Sequence, residues 1–563
     1  MPRRWGARPA LRMAVLLLLL GVWGGWLIYR TSFVVGGQRY FCLFDDAMIS
    51  MTYARNLVEG HGLNWARWGE PVEGFTHPLW MFLMVPFNAL PLPLVDRSLP
   101  VQILSLLTLA GTVIAVRRLV LDHFSNERAR HWMPAAVLTA FYYPLAYWTI
   151  MGMETGLQAL LTVAAVHLAL SAVHNHRDRH LLLWLVCTAA FLLRMDMLLL
   201  VVAVQLYVLL GGGLRREGRR SWLVGLAVFC GVNAAYEIFR WLYFHDLLPN
   251  TYYLKLTGVP LTVRFLRGLA VLTDFVREHL PVLLPVGFGV GFLLRRNRRF
   301  ALPAAVFVLY CVYNVYVGGD AWDGDLSIRA NRFLAFVMPL VFVLLNGVLN
   351  EILGSWRRVE TTEGWVGRLA ASAVTTVALL LVNGLWLAIM ADENWREFSG
   401  IDRPPIVDRN EKVVEDLLRF QQLVEPQAVV ASAWAGVPAY FTDYRMIDIL
   451  GYNDRVIARM PAVVEISEDE FELLKPGHVK WSERRLLTEQ RPDAFFQIWG
   501  VRREMGKVAD VMRGHGYRRL GGGFWMRVGS PYVHGGAADV PEPHLAATDV
   551  LDLRRKRRPR RPS

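Results

Sequence analysis

Charged residues are scarce in this chain of 563 residues. Asp, Glu, Lys and Arg make up 19% of the sequence, hydrophobic residues make up 54%, and the mean hydropathy is +0.30. A soluble globular protein carries about 25% charged residues. The composition therefore excludes a purely soluble protein and indicates that much of the surface contacts a lipid bilayer.

Cysteines are few, and nucleotide-binding motifs are missing. Three of the four cysteines (Cys187, Cys230 and Cys311) lie inside apolar runs and Cys42 stands alone, so we expect no disulfide framework. The sequence has no Walker A motif, no Gly-x-Gly-x-x-Gly at a strand–helix junction and no His-Glu-x-x-His motif. Nothing in it predicts a nucleotide-binding domain.

The net charge of +13 lies mostly in short clusters between apolar runs and in the tail Arg554–Arg561. Such clusters are typical of membrane topology signals rather than of a nucleic-acid surface, so we expect no nucleic-acid partner.

Long apolar runs dominate the first two thirds of the chain. Most of them approach the ~20 residues that a helix needs to cross a bilayer. The runs 180–195 and 196–213 are contiguous but too long for one helix, so we divide them near Arg194–Asp196. The segment 77–94 contains four prolines and is predicted to be an interfacial or re-entrant element. The predicted crossings are 12–29, 98–119, 132–150, 155–173, 180–195, 196–213, 221–244, 280–294, 300–317, 333–353 and 366–391.

Every second connection between these runs is basic, as in 117–130, 214–220 and 295–299. The positive-inside rule places these loops and the N-terminus in the cytoplasm, with an uncleaved first helix. The predicted fold class is therefore a polytopic α-helical membrane protein with about 11 transmembrane helices.

The predicted domains are a transmembrane domain over residues 1–391, which includes a large outer loop at 31–97, and a periplasmic or extracytoplasmic C-terminal α/β domain over 392–532. The C-terminal domain is predicted from strand-like runs at 428–431 and 446–450 and helical periodicity at 410–424. Residues 533–563 form a basic tail rich in Pro and Gly, which we expect to be disordered.

The first outer loop carries two adjacent carboxylates, Asp45 and Asp46. Asp46 is the expected N-cap of a helix over 47–59 that ends at Gly60. Capping accounts for one carboxylate, while a close pair raises the pKa of one member, which suits a general base or a metal ligand. We assign the base to Asp45, with Asp46 as its cap or partner, and leave open whether the pair binds a divalent cation.

Two further residues of this loop, Glu73 and His77, either join the same site or make hydrogen bonds within the loop. The loop continues through Ala-Arg-Asn-Leu, Gly-His-Gly-Leu and Val-Glu-Gly-Phe-Thr-His-Pro-Leu-Trp. With the preceding Asp-Asp, these motifs over 44–80 resemble the large first loop of bacterial GT-C glycosyltransferases. The branch most similar is the arabinofuranosyltransferase-like one, which adds terminal arabinofuranose in mycobacterial cell walls.

The resemblance implies a GT-C-like catalytic membrane domain that takes a polyprenyl-phosphate sugar donor and a glycan or glycoprotein acceptor outside the cytoplasm. This chain has Phe-Asp-Asp and Val-Glu-Gly-Phe-Thr-His where the mycobacterial enzymes are expected to have Ala-Asp-Asp and Val-Glu-Ala-Asn-Thr. Arabinofuranose is therefore the first choice of sugar, and a hexose (mannosyl-type) or oligosaccharide transferase acting on protein or lipopolysaccharide is the alternative.

Other predicted outer connections carry candidate residues for the donor phosphate and the sugar. Arg194 lies deep, beside Asp196, which favours an internal ion pair with Arg194 facing the pocket. Lys and Arg suit a lipid-linked phosphate, and Tyr suits a sugar ring, although an aromatic belt with a snorkelling Lys is an alternative for the 249–255 segment. The candidates for phosphate are Arg194, Lys255, Arg329 and Arg332, and those for substrate are Glu73, His77, Glu154, Asn250, Tyr252, Tyr253, Asp320, Asp323 and His478.

The segment Gly318–Asp325 has three carboxylates but lacks the spacing of an EF-hand calcium loop. With its following arginines it resembles a Gly-Gly-Asp…Arg-Phe segment of the same superfamily. Two other classes of function stay open, a transporter and a basic membrane scaffold. The ionisable residues gather at one predicted membrane face instead of the midplane, which disfavours a transporter.

Overall fold

The computed structural model describes residues 7–124, 131–175, 178–323, 328, 330–359, 394–463, 471, 474–498, 505–520 and 523–534. The predicted crossing 366–391, most of the tail, and Arg329 lie outside the described residues. The described part is mainly helical. Its helices are α1 (Ala7–Arg30), α2 (Asp45–Val58), α3 (Pro78–Asn88), α4 (Ser98–Leu119), α5 (Met133–Phe141), α6 (Tyr143–Ile150), α7 (Thr155–His174), α8 (His180–Leu193), α9 (Leu198–Leu210), α10 (Arg219–Phe244), α11 (Asn250–Leu256), α12 (Leu261–Glu278), α13 (Leu280–Arg296), α14 (Ala301–Val317), α15 (Arg332–Ala335), α16 (Met338–Val359), α17 (Asn394–Phe398), α18 (Pro405–Gln421), α19 (Val437–Phe441), α20 (Arg455–Arg459) and α21 (Met505–Gly514).

Within the described residues, five apolar helices are long enough to cross a bilayer, judged by length and composition. They correspond to α1, α4, α7, α10 and α14, each of which coincides with a predicted crossing. The pair α12–α13, bent by 91°, is a sixth candidate. The chain is thus a helical membrane protein with several crossings, and the number eleven stays a prediction.

Three predicted features of the apolar runs can be compared with the helices. The division of 180–213 is confirmed, because α8 ends at Leu193, Arg194 is extended, and α9 begins at Leu198. The segment 77–94 contains only the 11-residue helix α3, which is too short for a full crossing. The run 132–150 is not one continuous helix, because the backbone is extended at Tyr142 and separates α5 from α6; its crossing of the membrane stays a prediction.

The C-terminal part combines helices with a five-stranded sheet. Its strands are β3 (Val429–Ser432), β4 (Arg445–Asp448), β5 (Ala494–Phe495), β6 (Tyr517–Arg519) and β7 (Trp525–Arg527), in the order β4-β3-β5-β7-β6. β3 is parallel to β4 and β5, whereas β7 is antiparallel to β5 and β6. A separate hairpin of β1 (Phe33–Val35) and β2 (Gln38–Tyr40) precedes α2.

The C-terminal part packs directly on the first loop and on α1. Arg55 of α2 donates hydrogen bonds to the carbonyl oxygens of Tyr440 and Thr442 and to Asp443. Asn410 of α18 donates to the carbonyl oxygen of Leu43. These contacts hold α2, from just before its start to its last turn, against the sheet-bearing part of the chain.

Candidate functional site

The paired carboxylates lie at the very start of α2. The helix begins at Asp45, its N-cap is Phe44, and no side chain caps it. The expectation that Asp46 is the N-cap was therefore wrong, since that residue already lies in the first helical turn. The other end of α2 agrees with the prediction, because Gly60 follows the C-cap Glu59 with a φ of +84°.

Asp45 binds the C-terminal part of the chain. Its Oδ1 accepts hydrogen bonds from the backbone N–H groups of Gly436 and Val437, at 3.1 and 2.8 Å, at the N-terminus of α19. A carboxylate is favourable there because the first N–H groups of a helix lack partners. Burial raises the pKa of Asp45 to about 7, and the charge of Asp46 acts in the same direction.

Asp46 instead belongs to a charged cluster. Its Oδ2 lies 2.9 Å from Nη1 of Arg332. The same guanidinium holds Asp320, with Nη2 donating to Oδ1 at 3.1 Å and Nε lying 2.8 Å from Oδ2. Burial alone would raise the pKa of Asp46, but the charges of Arg332 and Lys255 outweigh it and lower the pKa below its ordinary value. Asp46 is therefore ionised at neutral pH.

Lys255 faces this cluster from α11. Among the described residues its Nζ makes no hydrogen bond or ion pair, and it lies 5.6 Å from the centre of the Tyr452 ring. Burial, together with the charge of the nearby Arg332, lowers the pKa of Lys255 to about 8. A half-buried ammonium that has no ion-pair partner among the described residues is suited to bind an anionic ligand.

A loop of the C-terminal part covers the cluster. Gly477 packs closely on it, since a Cβ there would lie 2.6 Å from Tyr452 Oη and 3.2 Å from Lys255 Cε. The His478 ring contacts the rings of Tyr452 and Trp322 at 5.9 and 6.0 Å. Burial lowers the pKa of His478 to about 4, and Lys475 adds to the effect, so this imidazole is neutral at pH 7. The loop that carries His478, a substrate candidate from the sequence, therefore contacts the cluster.

A second ion-pair cluster lies next to the first. Arg194 binds Asp196 through Nε and Nη2, and its Nη1 donates to Glu154 at 2.6 Å. The internal ion pair predicted for Arg194 is thus present. His77 lies between Glu154, at 3.6 Å, and the Ser50 hydroxyl, at 2.7 Å.

Phe333 joins the two clusters. The guanidinium of Arg194 lies 5.2 Å from the centre of its ring, and that of Arg332 lies 5.9 Å from it. Both arginines therefore border one region at the starts of α2 and α15, as an anion-binding surface would require.

Other predicted residues lie elsewhere and hold the scaffold together. Glu73 forms a buried ion pair with Arg240 at 2.6 Å and accepts a hydrogen bond from Tyr236. Asn250 donates to the carbonyl oxygens of Gly451 and Tyr452.

The structure also shows the surroundings of three further substrate candidates, two tyrosines and one aspartate. Arg459 lies 3.9 Å from the centre of the Tyr253 ring, while Tyr252 is 41% exposed. Asp323 accepts hydrogen bonds from the Asp320 N–H and from Asn331.

Sequence reasoning missed two aromatic residues that border the cluster. Tyr452 and Trp322 both lie within Gly- and Asp-rich turns, and this was the only signal available for them. The indole Nε1 of Trp322 is buried without a hydrogen-bond partner. The described part of the chain contains no group of three His, Cys, Asp or Glu side chains placed to hold a metal ion.

Comparisons with known proteins give limited matches. A family described as "Domain of unknown function (DUF8728)" matches residues 407–519. No curated protein matches the chain.

Among solved structures, ArnT from Cupriavidus metallidurans in the apo state is similar at 14% identity, with 79% of this chain and 87% of that chain covered and a TM-score of 0.48. The same protein bound to undecaprenyl phosphate gives 12% identity, 78% and 86% coverage and a TM-score of 0.47. Because both TM-scores are below 0.5, this likeness assigns neither fold nor function to the chain.

Proposed function

We propose that the protein is a GT-C-type membrane glycosyltransferase that uses a polyprenyl-phosphate sugar as donor and a cell-envelope or surface glycan as acceptor. The observation that carries the proposal is the position of Asp46. Its ionised carboxylate lies beside Arg332 and near Lys255, whose ammonium makes no ion pair within the described part of the chain. A base and a cationic phosphate site therefore occupy the same place.

Asp46 is the proposed general base. Transfer requires the acceptor hydroxyl to lose its proton as its oxygen forms a bond to the anomeric carbon. The carboxylate of Asp46 takes this proton, while the bond from the anomeric carbon to the phosphate oxygen breaks. Asp45, which was our choice from the sequence, is less suited because its Oδ1 is occupied by two backbone N–H groups.

Lys255 and Arg332 are the proposed partners of the leaving group. Polyprenyl phosphate departs with the electron pair of the broken bond, so its negative charge grows during the reaction. Fixed cations at that position stabilise the transition state more than the ground state. Arg332 already forms ion pairs with Asp46 and Asp320. Lys255 therefore supplies the positive charge that is available to the leaving phosphate.

The donor class follows from the surroundings of the cluster. The sequence has no recognisable nucleotide-binding motif, and the chain has apolar helices long enough to cross a bilayer, so a lipid-linked activated sugar is the fitting donor. The motifs over 44–80 make arabinofuranose the first choice, with a hexose as the alternative. A periplasmic or extracytoplasmic position of the site is part of the proposal.

The test is a transfer assay with purified full-length protein. We expect sugar transfer from a polyprenyl-phosphate pentose to an envelope glycan without any nucleotide, and parallel assays with a polyprenyl-phosphate hexose identify the sugar. Adding EDTA shows whether a divalent cation takes part. Absence of transfer with every lipid-linked donor, together with altered solute uptake in cells that lack the gene, would contradict the proposal and favour a transporter.

A further inference from the structure

Arg264 on α12 is a buried cation for which the described residues supply no counter-charge. The residue is 8% exposed, and its Nε and Nη1 atoms are enclosed without a hydrogen-bond partner among those residues. Its guanidinium lies 5.5 Å from the centre of the Tyr316 ring. An aromatic ring attracts a cation but does not satisfy its N–H groups, so a buried guanidinium in this state lacks an anion.

Neighbouring buried arginines do have partners. Arg267, one turn further along α12, donates to the carbonyl oxygens of Gly318 and Asp320. Arg194 and Arg332 are each held by two carboxylates. On the same helix, Arg277 has a side chain that is 75% exposed and lies 3.7 Å from Asp274. Arg264 therefore differs from the other arginines around it.

The position of Arg264 connects the outer surface to the candidate site. A Cβ on Gly318 would lie 3.1 Å from the carbonyl oxygen of Arg264, so the two backbones are in contact. Gly318 begins the segment that carries Asp320, the partner of Arg332. On the other side, Tyr316 is 48% exposed.

The surface of α12 next to Arg264 is apolar. Leu261, Phe265 and Leu269 follow one another at a spacing of four residues and are 56%, 51% and 46% exposed. This spacing places them on one face of the helix. An apolar stripe beside a buried cation matches a lipid whose headgroup is anionic.

We propose that Arg264 binds the phosphate headgroup of a polyprenyl lipid whose chain lies along the apolar face of α12. The planar guanidinium can donate two parallel hydrogen bonds to phosphate oxygens, which would satisfy its enclosed N–H groups. Arg264 and Lys255 lie on different helices and contact different aromatic rings, Tyr316 and Tyr452 respectively. No covalent bond is made or broken at the Arg264 position, and the lipid is only bound there, at the edge of the helical domain. The inference rests on the proposed function for the identity of the lipid.

The test is site-resolved photo-crosslinking of the full-length protein with a diazirine-bearing farnesyl phosphate. We expect label within residues 261–278, competed by farnesyl phosphate but neither by farnesol nor by inorganic phosphate. Loss of a charge-assisted bidentate contact should lower this labelling at least about tenfold in Arg264→Gln. The matched control Arg277→Gln should label like the wild type.

Two further variants separate this site from the catalytic one. Lys255→Met should leave the label on α12 unchanged, and Arg264→Lys, which keeps the charge, should retain part of it. The competition result on the wild type stands even where Arg264→Gln fails to fold. Equal labelling in Arg264→Gln, competition by farnesol or inorganic phosphate, or loss of the label in Lys255→Met would each overturn the inference. Normal labelling without any sugar transfer would instead contradict the proposed function and leave this site standing.

Discussion

Asp45 and Asp46 are neighbours on the chain, yet their carboxylates bind different partners. Asp46 contacts Arg332, whereas Asp45 accepts hydrogen bonds from the start of α19. We expect Asp46→Asn to lower kcat by about 10²- to 10⁴-fold, because an amide cannot take the proton. Asp45→Asn keeps an acceptor oxygen for the two N–H groups and should retain activity within about tenfold. Single-turnover rates of the two variants measure both effects. The reverse order of effects would return the role of base to Asp45.

The titration of Lys255 predicts a pH dependence of donor binding. Burial, with the charge of Arg332, lowers its pKa to about 8, so the ammonium is charged below that pH and neutral above it. The donor phosphodiester keeps its charge throughout. The KM for donor should therefore rise about tenfold between pH 7 and pH 9, as the charged fraction falls. Lys255→Arg stays charged over this range and should flatten the profile. A wild-type KM that does not change with pH would exclude Lys255 from phosphate binding.

The charged residues of the cluster were predictable from sequence, but their pairing was not. Asp46, Arg332 and Lys255 stand out because ionisable residues between apolar runs are costly unless they have a role. The contact between Asp45 and Gly436 joins positions nearly four hundred residues apart. Only the tertiary fold decides which of the two adjacent carboxylates contacts Gly436.

The loop over 474–480 depends on one buried lysine. Lys480 donates hydrogen bonds to the carbonyl oxygens of Tyr253 and Ala458 and to the hydroxyl of Thr257. Lys480→Met should destabilise the protein by about 1–3 kcal/mol, because these acceptors lose their donor. The loop that carries His478 should also loosen, which would raise the KM for substrate more than it lowers kcat.

Thermal unfolding and steady-state kinetics test this prediction. Lys412→Met, at an exposed position of α18, is the matched control and should change neither quantity. A Lys480→Met protein with unchanged unfolding temperature and KM would show that other contacts hold the loop.

Whole elements were predictable where one periodicity dominated. α18 and β3 lie close to the positions predicted from the sequence. α12 was missed because its 18 residues include five charged ones, so it does not stand out as an apolar run. The break between α5 and α6 had a signal in Pro144, whose ring cannot continue the preceding helix.

The molecule as a whole assembles its candidate site from distant parts of the chain. Asp46 comes from the first loop, Lys255 from α11, Arg332 from α15, and Tyr452 and His478 from the C-terminal part. A pattern of alternating basic loops can predict which segments share a side of the membrane, but not which side chains meet there. Because Asp45 binds Gly436, the first loop and the C-terminal part lie on the same side of the membrane. That side determines which sugar donors can reach the site.

We therefore predict that the C-terminal part and the first loop lie outside the cytoplasm, while the connection between α9 and α10 lies inside. In a chain with alanine at all four cysteine positions, single cysteines are introduced as Asp510→Cys, where the side chain is 78% exposed, and as Arg216→Cys, which is also exposed. A membrane-impermeant maleimide should label Asp510→Cys in intact cells and Arg216→Cys only after permeabilisation, because basic loops stay on the cytoplasmic side. The opposite pattern would place Asp46 in the cytoplasm, where nucleotide sugars are available, and would remove the reason for a lipid-linked donor.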